Sequence, residues 1–174
     1  MRKSKSDYLS NQFIIMQTKK IETEVEVYRF EELSEFDQQL IDKAKESTQR
    51  SYAPYSKFKV GAALRLENGI IVQGSNQENA AYPSGLCAER VTMFYANSQY
   101  PEVKPVSLAI ATYTLNGFLV EPITPCGSCR QVLLETEKRY QQDIEVLLYG
   151  TAYVYKIKRV SDLMPLAFDK ESLL

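Results

Sequence analysis

Histidine is absent from this 174-residue chain. No metal is held by imidazole and no proton is moved by it. Any transition-metal site must use sulfur and carboxylate, and any general base must be Asp, Glu, Lys, Tyr or Cys. Cysteine is scarce, with three residues. An odd number excludes a complete disulfide framework, and with no export signal in view the expected compartment is a reducing cytoplasm. Positive charge is not concentrated. The 21 Lys and Arg stand against 22 Asp and Glu, for a net charge of −1, and no basic stripe marks a nucleic-acid groove. The apolar runs are far shorter than the roughly 20 residues that span a bilayer. Neither nucleic acid nor membrane is an expected partner. What is present is ordinary for a soluble domain: 44% apolar and 25% charged residues, in a length that suits one domain with a sizeable core.

Residues 1–20 read as a flexible polar tail. Arg2, Lys3 and Lys5 precede Phe13-Ile14-Ile15-Met16, an apolar stretch too short for a signal peptide. Nothing before Met16 is periodic, which makes that methionine a candidate natural start. A single domain is expected over 21–174, without internal repeat, low-complexity segment or linker.

Residues 21–27 alternate, with Ile21, Thr23, Val25 and Val27 on one side and Glu22, Glu24 and Glu26 on the other. This period of two predicts an extra N-terminal strand with a solvated acidic face, within residues 21–30. Ser34 is placed to cap a helix running to about 51, with Phe36, Leu40, Ile41 and Ala44 toward the core. Strands are predicted at 59–66 and 70–75, joined by the hairpin signal Asn68-Gly69. A helix opening at Cys87 and running to about 98, a strand at 106–114, a helix at 127–140 and strands at 144–149 and 153–160 follow. Ser161 is placed to cap a short last helix. Helices between strands predict parallel neighbours, and the hairpin adds an antiparallel edge. The expected fold is α/β, a three-layer α/β/α sandwich around a mixed five-stranded sheet.

All three cysteines fall in two motifs, Cys87-Ala88-Glu89 and Pro125-Cys126-Gly127-Ser128-Cys129. Three thiolates can hold a zinc ion and leave its fourth position open to water, and a nearby carboxylate can carry protons. Cys126 and Cys129 share a face on the first turn of a helix, and thiolates are favoured at helix N-termini. Glu89 can reach the same site only if Cys87 is the cap, since i and i+2 diverge within a helix. Arg90 and Gln131 follow the two motifs and could hydrogen-bond the sulfurs, offsetting their negative charge. Other readings stand beside this one. Cys126 and Cys129 could form a redox dithiol. A structural zinc would need a carboxylate as fourth ligand. Buried inert thiols are a third case. The joint pattern favours catalytic zinc.

The residues then resemble the homotetrameric cytidine deaminase family from about position 51 to the C-terminus. The likeness is carried by Tyr52-Ala53-Pro54-Tyr55-Ser56-Lys57-Phe58-Lys59-Val60-Gly61-Ala62-Ala63, Asn76-Gln77-Glu78-Asn79-Ala80-Ala81-Tyr82-Pro83, Cys87-Ala88-Glu89-Arg90, Pro125-Cys126-Gly127-Ser128-Cys129-Arg130-Gln131 and Leu163-Met164-Pro165-Leu166-Ala167-Phe168. The resemblance implies that Cys87, Cys126 and Cys129 bind Zn²⁺ and that Glu89 shuttles protons. It implies that Phe58 packs on the pyrimidine, that Ala88 meets the base through its backbone, and that Asn76 and Glu78 hold the ribose hydroxyls. Two polar side chains one residue apart on an extended segment point to one side, which suits that grip. Ala80 and Tyr82 would approach the 5′-hydroxyl from a neighbouring subunit, and Phe168 would stack on the base from another, so a homotetramer with shared active sites is implied. The implied reaction is hydrolytic deamination of cytidine and deoxycytidine in pyrimidine salvage. Plainer roles compete: Phe58 as core, Asn76 and Glu78 as turn polars, Phe168 as a tail anchor. The family pattern is exceeded by residues 1–30, 101–105 and 115–124, and Gln77 stands where an aliphatic residue is common.

Overall fold

A computed structural model describes residues 17–173. The candidate start at Met16 and most of the expected tail lie outside the described residues. The elements are β1 (Glu26–Tyr28), α1 (Glu35–Ser47), β2 (Lys59–Leu66), β3 (Ile71–Ser75), α2 (Ala88–Gln99), β4 (Pro105–Thr114), β5 (Gly117–Phe118), α3 (Gly127–Tyr140), β6 (Glu145–Tyr149) and β7 (Val154–Ile157).

Ser34 caps α1 as expected, its hydroxyl accepting the Asp37 N–H at 3.2 Å. Leu40, Ile41 and Ala44 are fully buried, but Phe36 is 69% exposed and lies under the Arg65 guanidinium. The inward stripe is 37, 40, 41 and 44. Asp37 takes the place expected of Phe36 and is paired there with Lys156 at 2.9 Å. The helix stops at Ser47 and tightens into a 3-10 turn, Thr48–Arg50. The Ser47 and Thr48 hydroxyls bond back to the Lys43 and Lys45 carbonyls, which competes with the helical pattern.

The β2–β3 hairpin closes at Asn68-Gly69, with Gly69 at φ +84°, a backbone state that favours glycine. The sheet order is β1-β7-β6-β4-β2-β3, with β5 paired to β4. The expected five strands are all present. β1 and β5, of three and two residues, raise the count to seven; β1 falls within the extra strand expected at 21–30, while β5 is too short to leave an alternation in sequence. β4 and β6 form the one parallel pair among the described strands. Parallel pairing fails across α2 because β4 lies against β2, not against β3, where α2 begins.

α1 covers one face of the sheet, over Ala63, Ala109, Ala111 and Leu147. α2 and α3 cover the other, over Ala62, Leu64, Leu108, Ile110 and Val146. The three layers are thus as expected. Gly61 permits the α1 contact, since a Cβ there would stand 2.7 Å from the Thr48 nitrogen.

Both chain ends depart from expectation. Only Glu26–Tyr28 of the predicted N-terminal strand pairs, on the edge strand β7. Ile21, Val25 and Val27 are exposed, while Glu26 and Tyr28 are half-buried. The facing is reversed because Glu26 turns to Lys158, at 3.3 Å. Past β7, a 3-10 turn Val160–Leu163 replaces the expected helix. Ser161 lies inside that turn, its N–H held by the buried Glu137 carboxylate at 3.1 Å.

Candidate active site

Cys87 precedes the first turn of α2 with extended backbone, φ −70° and ψ 153°, and Cys126 stands likewise before α3, φ −66° and ψ 166°. Both are N-cap residues. Because Cys87 lies outside the helix, Glu89 in the first turn can face the same space, and the two line one cavity.

Cys87 Sγ lies 3.8 Å from Cys126 Sγ, which lies 3.4 Å from Cys129 Sγ, and the three sulfurs fall within 4.8 Å of one another. Tetrahedral Zn–S bonds of about 2.3 Å set sulfurs about 3.8 Å apart, so spacing and donor type fit a zinc ion. Cys129 is buried beneath the cavity, while Cys87 and Cys126 open onto it. The Cys87 thiol is pulled down to about 5, chiefly by the Cys129 thiol and further by the Arg90 guanidinium, whose nitrogen stands 3.8 Å away. Cys129, sharing that bond, is pushed up. Zinc would displace the remaining protons, since thiolates are its ligands. Arg90 Nε is buried without a hydrogen-bond partner among the described residues.

Glu89 is 5% exposed. Burial above all, with the neighbouring Cys87 adding to it, pushes its carboxyl above the usual range.

The cavity encloses about 1000 Å³ and is bordered by Phe58, Asn76, Glu78, Tyr82, Cys87, Glu89, Arg90 and Cys126 among others. Phe58 is half-buried on the cavity wall and belongs to neither core cluster. Asn76 Nδ2 donates to the Phe58 carbonyl at 2.9 Å, and its Oδ1 accepts the Val60 N–H at 2.8 Å and the Ser51 hydroxyl. Glu78 clasps the facing turn, accepting the Tyr55 N–H at 2.9 Å, the Ser56 N–H at 3.3 Å and the Ser56 hydroxyl. These two residues brace the cavity wall at Phe58. Tyr82 stands on the rim, 80% exposed. Ala88 is buried as the first residue of α2.

Five of the residues singled out from sequence do not line this cavity: Ala88 and Cys129 are fully buried, and Ala80, Gln131 and Phe168 lie elsewhere. Ala80 is exposed and Phe168 is 60% exposed, neither lining it. Gln131 donates to the Phe168 carbonyl at 2.9 Å, not to a sulfur. Sequence reasoning missed Ser51 and Ser56, whose pairing with Asn76 and Glu78 spans more than twenty positions and has no local signature. It also missed Arg130. That guanidinium donates to the Pro125 carbonyl at 2.8 Å, the Thr124 hydroxyl at 2.8 Å and the Leu163 carbonyl at 3.0 Å, fixing the loop that delivers Cys126. A cation directly after the second Cys of the motif was the one available signal.

Residues 34–141 match the family model for the cytidine and deoxycytidylate deaminase zinc-binding region. The cytidine deaminase of Halalkalibacterium halodurans is 37% identical over 136 residues, covering 78% of this chain and 96% of that one. The cytidine deaminase of Sporosarcina psychrophila is 36% identical over 139 residues, 78% and 93% of the two chains. Among solved structures, the Burkholderia pseudomallei cytidine deaminase superposes with a TM-score of 0.63 at 37% identity, over 75% of this chain and 97% of that one. The Mycobacterium tuberculosis cytidine deaminase gives 0.61 at 30% identity, over 78% and 98%.

Proposed function

From the premise that this chain belongs to the cytidine deaminase family, a zinc-binding deaminase family, we propose that it hydrolyses cytidine and deoxycytidine to uridine and deoxyuridine with release of ammonia. The observation that carries this is the convergence of two helix N-termini on one cavity, with three sulfurs at zinc spacing beside a single buried carboxyl.

The cofactor is zinc, held in this reading by Cys87, Cys126 and Cys129. When bound, it lowers the pKa of water toward neutrality and so supplies the nucleophile. The chain's own residues do the rest. Phe58 packs on the pyrimidine ring, and the Ala88 backbone meets the base edge. Glu89 takes a proton from the attacking water and delivers one to N3. It then takes the proton of the hydroxyl now on C4 and passes it to the amino nitrogen, so that the C4–N bond breaks, ammonia leaves and the C4 carbonyl of uridine forms. That acid–base help is worth roughly 10²–10⁴-fold in rate. Raised by burial, the Glu89 carboxylate binds a proton more readily than a solvated one would, which suits a group that takes one from water.

Arg90 is the one cation among the residues lining the cavity, and it is turned to Cys87. The wall therefore offers no cluster for a phosphate, which favours a nucleoside over a nucleotide. Asn76 and Glu78 face that nucleoside's ribose. The open rim at Tyr82 and the exposed Ala80 and Phe168 support a homotetramer in which neighbours close each site. The physiological setting is pyrimidine salvage in the cytoplasm. No helix among the described residues is long and apolar enough to cross a membrane.

The test is the ultraviolet absorbance of cytidine incubated with purified, zinc-replete protein. Loss of the cytosine band with uridine formed is expected. An unchanged spectrum overturns the reading.

A further inference from the structure

We propose that residues 21–28 act as a strap that holds the segment 162–169 against α3 and so sets the position of Phe168. The part of this proposal that concerns catalysis rests on the role given to Phe168 above.

The tail needs such a device. Between the 3-10 turns Val160–Leu163 and Lys170–Leu173 the chain has no ladder or helix of its own, and Pro165 to Phe168 are all exposed. Segments of this kind sit at the low end of local stability. Its fastenings to α3 are few: the Gln131 amide on the Phe168 carbonyl at 2.9 Å, and Lys138 near Asp169 at 3.8 Å. Arg130 secures only the near end, at Leu163.

The strap is anchored better. β1 pairs with β7 in the register Glu26↔Lys156, Val27↔Tyr155 and Tyr28↔Val154. Glu24 and Glu26 both reach the Lys158 ammonium, each at 3.3 Å. From this anchorage the chain reaches the tail. The Thr23 hydroxyl donates to the Asp162 carbonyl at 3.0 Å, a contact across 139 positions of sequence. Beyond it, Ile21 and Thr23 face Met164, Ala167 and Asp169 across a cavity of about 340 Å³ floored by Leu134 of α3. A strand fixed to the sheet edge thus ends against the segment with least structure of its own. The strap lies wholly before residue 34, where the family match begins. Fixing a recognition segment beforehand removes ordering entropy from the binding step.

The experiment compares the full chain with two variants, Thr23→Val and the charge reversal Glu24→Lys/Glu26→Lys, which sets two cations beside Lys158. A third form adds Lys158→Glu to the reversal and restores opposite charges. Amide hydrogen exchange in 162–169 is read in all four, with KM and kcat for cytidine and the zinc content. Expected for the reversal is exchange about tenfold faster in 162–169, from two exposed pairs turned to repulsion. KM rises by a similar factor, while kcat and zinc stay unchanged, and Lys158→Glu restores both. Thr23→Val shows the same pattern at a few-fold. Unchanged exchange in 162–169 in both variants overturns the strap. Faster exchange with unchanged KM overturns its link to Phe168. A wild-type chain that leaves cytidine intact defeats the proposed function instead, and the exchange comparison still decides the strap.

Discussion

Cys87 Sγ and Cys126 Sγ stand 3.8 Å apart although 39 residues separate them, because each caps a helix and the two helices lie side by side on one face of the sheet. Zinc held by these cysteines would therefore also staple α2 to α3. Cys126→Ala is expected to lose most bound zinc and to lower thermal stability, since metal binding is linked to folding. Elemental analysis beside a melting curve checks this. Full zinc occupancy in the variant would remove Cys126 from the ligand set.

Glu89 separates chemistry from metal binding. Its carboxyl is buried and touches the cavity without being one of the three sulfurs. Glu89→Gln preserves shape, so zinc content and melting temperature are expected to hold. Turnover is expected to fall by roughly 10²–10⁴-fold, the usual worth of a general acid–base. A variant retaining a large part of wild-type kcat would dismiss Glu89 from proton transfer.

Arg130 tests positioning. One planar guanidinium serves Thr124, Pro125 and Leu163 at 2.8–3.0 Å, a reach that a single ammonium cannot reproduce. Both Arg130→Ala and Arg130→Lys are expected to cost about 1.5–3 kcal/mol in urea unfolding. Zinc affinity is expected to weaken about 10–100-fold, as when a ligand's supporting group is lost. A chelator competition assay reads the second effect directly. A lysine variant with native affinity would show the forked geometry to be unimportant.

Gly61 tests the opposite face. An added methyl would meet backbone atoms of Ala44 and Thr48, which cannot rotate aside as a side chain can. Gly61→Ala is therefore expected to destabilise by about 1–3 kcal/mol or more while leaving the zinc stoichiometry intact. Denaturant unfolding of the two proteins compares them. Native stability in the variant would mean that α1 can lift off β2 without cost.

Much of this arrangement was legible in the sequence because it is written in short-range chemistry. Ser34, Asn68-Gly69 and the two cysteine motifs each act within a few residues of themselves. The capping role of Cys87 follows from helix geometry once Cys87 and Glu89 are taken to share one site. What escaped was non-local. Phe36 was misplaced because the apolar stripe admits Asp37 once Lys156, 119 positions away, supplies its charge. The facing of the strand at Val25 and Val27 is reversed for the same kind of reason, Lys158 just past β7 reaching Glu26. Asn76, Glu78 and Arg130 also reach Ser51, Ser56 and Leu163, which are 25, 22 and 33 positions away, and periodicity carries no trace of such contacts.

Glu78 gives the site its own titration marker. The Ser56 hydroxyl, then the Tyr55 and Ser56 N–H groups, stabilise its charged form and hold its carboxyl below 4.5. A carboxyl depressed on folding contributes to the fold above its unfolded value, and that contribution is lost as pH falls through the lower folded one. The Tyr55 and Ser56 amide protons should report this directly. Their resonances are expected to shift together with a midpoint below 4.5 and to stay flat through that range in Glu78→Gln. The same variant is expected to raise KM for cytidine with kcat little changed, because the turn beside the ribose loosens while Glu89 stays in place. A midpoint at or above 4.5, or shifts that survive the substitution, would show that the clasp does not exist in solution.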